Sequence, residues 1–249
     1  MEMINDLYKD GSLINKMYEG NMPINKAYKD GVVIYQGVNT PTPPQPTGYT
    51  AQYLTFEIIH GGWLRWKCDT NYPGKTISYS RNGGEWTNIT ATTGGTNVMF
   101  YNGDVIRFKG DNEYIGSRIS WSIFDNSDIT FNVYGNIMSI VDSQNFASIT
   151  STTQPYMFRN LFENCSGLLS AENLVLPQGA LPEGCFHYMF YGCTSLSAIT
   201  CLATDISATN CLTYWVRNVS SSGTFYKASG VTWPSGDDGI PDNWTIVDI

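Results

Sequence analysis

The sequence predicts a mainly β protein with an N-terminal β-meander, a β-sandwich, and a short solenoid closed by a C-terminal cap. Three observations predict it. Charged residues make up 14% of the chain, no more than the aromatics, and 24 Gly and 11 Pro interrupt it. Long-helix proteins and disordered tails are both richer in Lys and Glu. A ten-residue repeat fills residues 1–36, and a longer repeat fills the C-terminal part.

The first repeat sets Ile4, Ile14, Ile24 and Ile34 ten residues apart, together with Tyr8, Tyr18 and Tyr28. Turn sequences divide the units at Asp10-Gly11, Glu19-Gly20-Asn21 and Asp30-Gly31, because Gly tolerates positive φ. Between turns the residues alternate with period two, so that Ile14, Lys16 and Tyr18 share one face and Leu13, Asn15 and Met17 the other. The expected product is a four-strand meander with about one short strand per repeat. Both faces mix apolar and polar groups, and a ribbon this small is marginal alone in water. One outcome is packing on the next domain. The favoured one is an anchor or oligomerisation module in which Ile4, Tyr8, Ile14, Tyr18, Ile24, Tyr28 and Ile34 are buried against neighbouring chains. The linker favours it: residues 37–48 hold Pro41, Pro43, Pro44 and Pro46 and no charge, a composition expected to form an extended polyproline-like spacer.

Residues 49–135 are expected to form the sandwich. Predicted strands cover 52–58, 62–67, 75–80, 85–90, 98–101, 104–109, 118–124 and 129–134, with Asn82-Gly83-Gly84 and Asn102-Gly103-Asp104 among the turns. Regular short strands with Gly-rich turns favour two packed antiparallel sheets.

Residues 136–249 carry the second repeat. Leu161-Phe162-Glu163-Asn164-Cys165 matches Met189-Phe190-Tyr191-Gly192-Cys193, and Cys185-Phe186-His187-Tyr188 matches Cys211-Leu212-Thr213-Tyr214. Units of this length, each burying an apolar ladder, read as a solenoid of two to three turns. The tail from Gly223 to Ile249, with Trp233 and Trp244, is the expected cap.

Charge narrows the function. The net charge is -8, and most of it belongs to residues 136–249, where nine acidic residues face three basic ones, Arg159, Arg217 and Lys227. No segment offers the Lys/Arg surface that neutralises phosphates, which excludes nucleic-acid binding. No apolar run reaches the length of a membrane span. Met1 to Asp6 lack a basic region followed by an apolar run, so no secretory signal is expected, and the six cysteines are expected to stay thiols.

No catalytic constellation emerges. Cys185-x-His187 with Cys193 invites a metal, but the next repeat has Thr213 and Val219 at those places, so buried core thiols are the better reading. No metal and no cofactor are expected. His60-Gly61-Gly62-Trp63 resembles an oxyanion-hole loop only superficially, since no Gly-x-Ser-x-Gly accompanies it; a hairpin turn is simpler. Asp237, Asp238 and Asp242 are read as a solvated acidic loop rather than a calcium site. Ser80 to Trp86 looks like a degenerate Asp-box hairpin without catalytic meaning. Trp63, Trp66 and Trp86, with Trp121, are candidates for a sugar-stacking platform, against the more favoured outcome that alternation buries most of them.

Two stretches resemble known families. Phe186 to Leu196, followed by Cys201-Leu202-Ala203-Thr204-Asp205-Ile206, resembles the BspA-type leucine-rich repeats of Bacteroidetes surface proteins and their phages. The likeness extends upstream through Phe131 to Ser139 and downstream to Trp244-Thr245, about half the chain. Ile24 to Tyr35 is similar to short strand repeats near the start of tail- and fibre-type proteins of gut-bacterial phages. The resemblance implies a virion structural protein (fibre, tail or capsid decoration), similar to those of crAss-like phages and made in the host cytoplasm. The expected partners are itself, as a symmetric homo-oligomer for which a homotrimer is our guess, other virion proteins through residues 1–36, and a host glycan or surface protein. A BspA-like bacterial surface adhesin is the alternative, and a carbohydrate-active enzyme the third reading.

Overall fold

The computed structural model describes the strands between Tyr8 and Gln36, and residues 48–249 apart from 70–73 and 127. Strands make up 39% of the chain and helical turns 4%, so the mainly β expectation holds. The chain divides into two units, Met1–Thr42 and Pro43–Ile249.

In the first unit the ten-residue repeat forms hairpins. β1 (Tyr8–Lys9) pairs with β2 (Ser12–Leu13), β3 (Met17–Glu19) with β4 (Met22–Ile24), and β5 (Lys26–Lys29) with β6 (Val32–Gln36), all antiparallel. Lys9 faces Ser12, Glu19 faces Met22 and Lys29 faces Val32, so each turn dipeptide is bracketed by a paired strand end. The turn residues themselves, with Ile4 and Ile14, lie outside the described residues. The expected four-strand meander is corrected: the described strands form three separate two-stranded sheets, and no ladder joins one to the next. The reason is the period. Ten residues supply two short strands, and the described strands of each unit pair with each other.

The second unit opens with β7 (Leu54–His60), β8 (Gly62–Cys68), β9 (Thr76–Arg81), β10 (Trp86–Thr90), β11 (Thr96–Phe100), β12 (Val105–Lys109), β13 (Ser122–Asn126) and β14 (Thr130–Asn136). β10-β9-β12-β7-β14 run antiparallel in one sheet, and β11-β8-β13 make a second. Rings join the two: Phe124 of β13 lies 4.9 Å from Phe56 of β7 and 5.0 Å from Phe108 of β12.

His60 to Trp63 is not the hairpin turn expected. β7 and β8 belong to different sheets, so the Gly61-Gly62 pair is a corner at which the chain changes sheets. Glycine is required there by close approach, since a Cβ on Gly61 would stand 2.6 Å from the Phe100 carbonyl oxygen and one on Gly62 2.8 Å from the Ile129 nitrogen. The strand expected over 118–124 starts late, at Ser122. Residues 117–120 instead close a tight turn in which the Ser117 Oγ accepts from the Ser120 amide at 3.1 Å.

From β14 the first sheet continues in parallel through β15 (Leu168–Val175), β16 (Ala198–Cys201), β17 (Thr224–Lys227) and β18 (Thr245–Asp248). The boundary expected at residues 135/136 falls inside β14, and the sheet and its apolar core run on across it. Register sets Ala171 opposite Ile199, Ile199 opposite Phe225, and Phe225 opposite Ile246, one strand per repeat. The tail expected as a cap thus supplies two further strands. Among the described residues no helix is long and apolar enough to cross a membrane.

Candidate functional site

Between the parallel strands the chain runs through turns with a four-residue rhythm. In the first run alternate amides bond back three residues, Arg159 to Tyr156, Leu161 to Phe158, Glu163 to Asn160 and Cys165 to Phe162. The intervening amides bond forward to the next repeat: Phe158 to the Cys185 carbonyl at 3.0 Å, Asn160 to His187 at 2.9 Å, Phe162 to Met189 at 2.9 Å. Phe186, Tyr188 and Phe190 donate likewise to Cys211, Thr213 and Trp215. Each repeat therefore serves as the acceptor row for the one before it.

The last run needs acceptors of its own. The Asp237 carbonyl takes the Val216 amide at 3.3 Å, and the Asp238 carboxylate takes the Tyr214 amide at 2.5 Å. The Gly239 carbonyl takes the Trp215 indole at 2.7 Å. The acidic loop thus satisfies the open end of the stack, while Asp242 is exposed.

Inward positions form apolar columns. Phe162 stacks on Phe124 at 5.7 Å and on Phe190 at 5.6 Å, the latter pair tilted by 5°. Cys165 and Cys193 are fully buried, and their thiols donate to the carbonyls of Phe124 and Phe162. Burial pushes every thiol in these columns upward, Cys201 to about 12 and Cys211 to about 11. Such thiols are poor metal ligands and poor nucleophiles, and they fill space as small apolar groups.

The outward positions carry the site. Every fourth residue has positive φ: Tyr156, Asn160 and Asn164, then Gly184, Tyr188 and Gly192, then Asn210, Tyr214 and Asn218. Asn and Gly are at ease there, whereas a bulky aromatic is strained. Tyr156, Tyr188 and Tyr214 hold that conformation, at φ 57°, 58° and 51°. Persistent strain of this kind marks a place to look for function.

The strained tyrosines belong to one continuous stripe. The Arg159 guanidinium lies 4.3 Å above the Trp121 ring and 5.8 Å from Tyr156. Tyr156 meets His187 at 5.9 Å, His187 meets Tyr188 at 4.6 Å, and Tyr188 meets both Tyr191 at 5.2 Å and Tyr214 at 5.4 Å. Arg217 closes the row, 4.8 Å over Tyr214. Gly184 makes room for the Tyr156 ring, whose Cδ1 and Cε1 stand 2.2 Å from where a Cβ would be. Apart from buried Tyr156 and exposed Arg217, the members are half-buried.

Polar groups edge the stripe. The Tyr156 hydroxyl donates to Glu183 at 2.9 Å, Asn160 donates to Glu163, and Arg217 pairs with Asp237 at 3.5 Å. The Arg159 Nε–H donates to Asn160 Oδ1 at 3.0 Å and its Nη1 to the Arg118 carbonyl. Among the described residues Arg159 has no carboxylate within ion-pair distance, so three of its five N–H donors are uncommitted. Burial disfavours its charge, and burial also lowers the His187 pKa, with Arg159 adding to that effect and Asp238 opposing it. His187 Nδ1 is buried without a hydrogen-bond partner.

The tryptophans named from sequence do not assemble. Trp63 and Trp66 stand on opposite faces of β8: Trp63 is 48% exposed, while Trp66 is buried with its indole donating to the Lys75 carbonyl at 2.7 Å. Trp86 lies in the other sheet, edge-on to Tyr53 at 5.2 Å and under Lys109. Trp121 alone joins the stripe. Of the assembly candidates, Tyr8, Tyr18, Ile24, Tyr28 and Ile34 fall in described strands, where Tyr8 faces Leu13, Tyr18 faces Pro23, Ile24 faces Met17 and Tyr28 faces Val33.

Sequence reasoning missed Tyr156, Arg159, Tyr188, Tyr191, Tyr214 and Arg217. The available signal was the repeat alignment itself. It sets Arg159, His187 and Thr213 in one column and Asn160, Tyr188 and Tyr214 in the next.

The chain matches no protein-family model, no curated protein and no solved structure.

Proposed function

We propose that the chain is a virion structural protein, a fibre, tail or capsid-decoration component of a phage of Bacteroidetes, anchored through residues 1–36 and displaying a binding head. The observation that carries this reading is the set of three hairpins, with no ladder between them among the described residues. A two-stranded ribbon does not bury enough to be stable alone, so neighbouring copies, in a closed homo-oligomer proposed as a trimer, or other virion proteins complete it. Residues 37–48 act as the spacer. On this reading the facing sheets of the second unit are a β-sandwich, and the stacked strand-and-turn repeats are a short BspA-like leucine-rich-repeat solenoid. The resemblance of Phe186 to Leu196 to those repeats supports the assignment to phages of Bacteroidetes. The head has no catalytic role and serves recognition of the host surface. The test is incorporation into particles. A chain lacking residues 1–36 is expected to be soluble and folded but absent from purified virions; its presence at the full-length level would overturn the anchor.

A further inference from the structure

We infer that the stripe from Trp121 to Arg217 is a binding site for a neutral oligosaccharide. The inference rests on the reading of the second unit as a recognition head. A pyranose offers an apolar C–H face and a rim of hydroxyls that both donate and accept. The stripe offers half-exposed rings in a row, Trp121, His187, Tyr188, Tyr191 and Tyr214. Beside them stand the uncommitted donors of Arg159 and the acceptors Glu163, Glu183 and Asp238. Aromatic groups with a polar tip, held rigid, give contact area at low entropic cost. Here the backbone hydrogen bonds between repeats supply the rigidity, and successive repeats are spaced like strands in a sheet, about 4.8 Å apart.

The charges decide between ligand classes. Rings and arginines in a row also suit single-stranded nucleic acid. That ligand needs a positive groove along its backbone, and here Glu163, Glu183, Asp237 and Asp238 flank the two arginines in a chain of net charge -8. A polyanion is repelled, whereas a polyol uses both signs. Strain adds a second argument. Tyr188 and Tyr214 occupy the column where the first repeat has Asn160, a residue that fits positive φ more easily. Rings are kept there against backbone preference, which points to use of their faces.

The experiment screens the full chain on an array of neutral gluco-, galacto-, manno- and N-acetylglucosamine oligosaccharides, their uronic-acid counterparts and single-stranded DNA. It also measures adsorption to host cells. Variants are Tyr188→Asn with Tyr214→Asn, which restore the residue type of the first repeat, and Trp63→Ala as a remote control. Circular dichroism confirms folding. The expected result is binding to a neutral glycan that survives about 0.5 M salt, where exposed charges are screened within a few ångströms. It should fall at least about tenfold in the double variant, as expected for two lost ring contacts, and be unchanged by Trp63→Ala. Retention in the double variant, or loss with Trp63→Ala, would overturn the site. Binding confined to uronic-acid glycans or DNA and lost in salt would overturn the ligand class. Adsorption to cells with no glycan bound would overturn the glycan inference and leave the recognition reading standing. Absence of adsorption together with absence of glycan binding would sink both.

Discussion

Two repeats in one chain meet the same demand in opposite ways. The ten-residue repeat of the first unit closes on itself: each copy is a hairpin whose backbone partners lie a few residues away, as in Glu19 opposite Met22. The longer repeat of the second unit closes on its neighbour. Its turn amides reach the next copy's carbonyls, and its strands pair one per copy, Ile199 beside Ala171 and Phe225. The difference teaches that period governs where an apolar face is buried. A unit long enough for a strand plus a run of turns stacks into a continuous core from Phe124 through Phe162 to Phe190. A unit of ten residues has room only for two short strands that pair with each other, and on the proposed reading its apolar face is buried by another molecule.

The comparison breaks most visibly at Phe162, the ring shared by the facing sheets and the repeats. Phe162→Ala is expected to remove about 3–5 kcal/mol from the second unit, read as a lowered denaturant midpoint by tryptophan fluorescence. Deletion of residues 1–36 should leave that midpoint unchanged. If instead the two changes destabilise the head equally, the units are not energetically separate.

A smaller effect sharpens the account of the outward columns. At Tyr188 the ring contacts and the strain at φ 58° oppose each other. Tyr188→Asn should therefore stay within about 1 kcal/mol of the parent chain, while Tyr188→Ala, which keeps the unfavourable φ and lacks the ring, should be less stable by about 1 kcal/mol more. Thermal unfolding of the two variants ranks them; the reverse order would mean that the strain is not felt.

Thiol labelling gives the gentlest test, since all six cysteines lie in the second unit and all are buried. With desolvation raising their pKa values, a thiol reagent at pH 8 should label essentially none in the native chain and all in denaturant. Fast labelling of Cys165 or Cys193 without denaturant would contradict the packed columns.

Much of this was legible in the sequence, and the pattern of what was not has physical causes. The mainly β class, the turns at Asn82-Gly83 and Asn102-Gly103 and both repeat periods could be read directly, because turn residues and apolar columns are local signals. The thiol role of Cys185 and Cys193 followed from Thr213 and Val219 standing in the next repeat. Sheet membership did not follow, since Gly61-Gly62 looks the same whether it turns a hairpin or carries the chain from one sheet to another. Nor did the stripe, because an aromatic at positive φ runs against propensity, and Tyr156, Tyr188 and Tyr214 read as strand or core residues. The tryptophan platform failed on parity: Trp63 and Trp66 are three residues apart on one strand, which sends them to opposite faces.

The central claim is that the short repeat is completed between chains while the long one is completed within its own. Native mass spectrometry of the full chain beside a chain starting at residue 37 tests it most directly. The account predicts a closed oligomer, proposed as a trimer, for the full chain and a folded monomer for the truncated one. A monomeric full chain, or a truncated chain with the same oligomeric state, would contradict it.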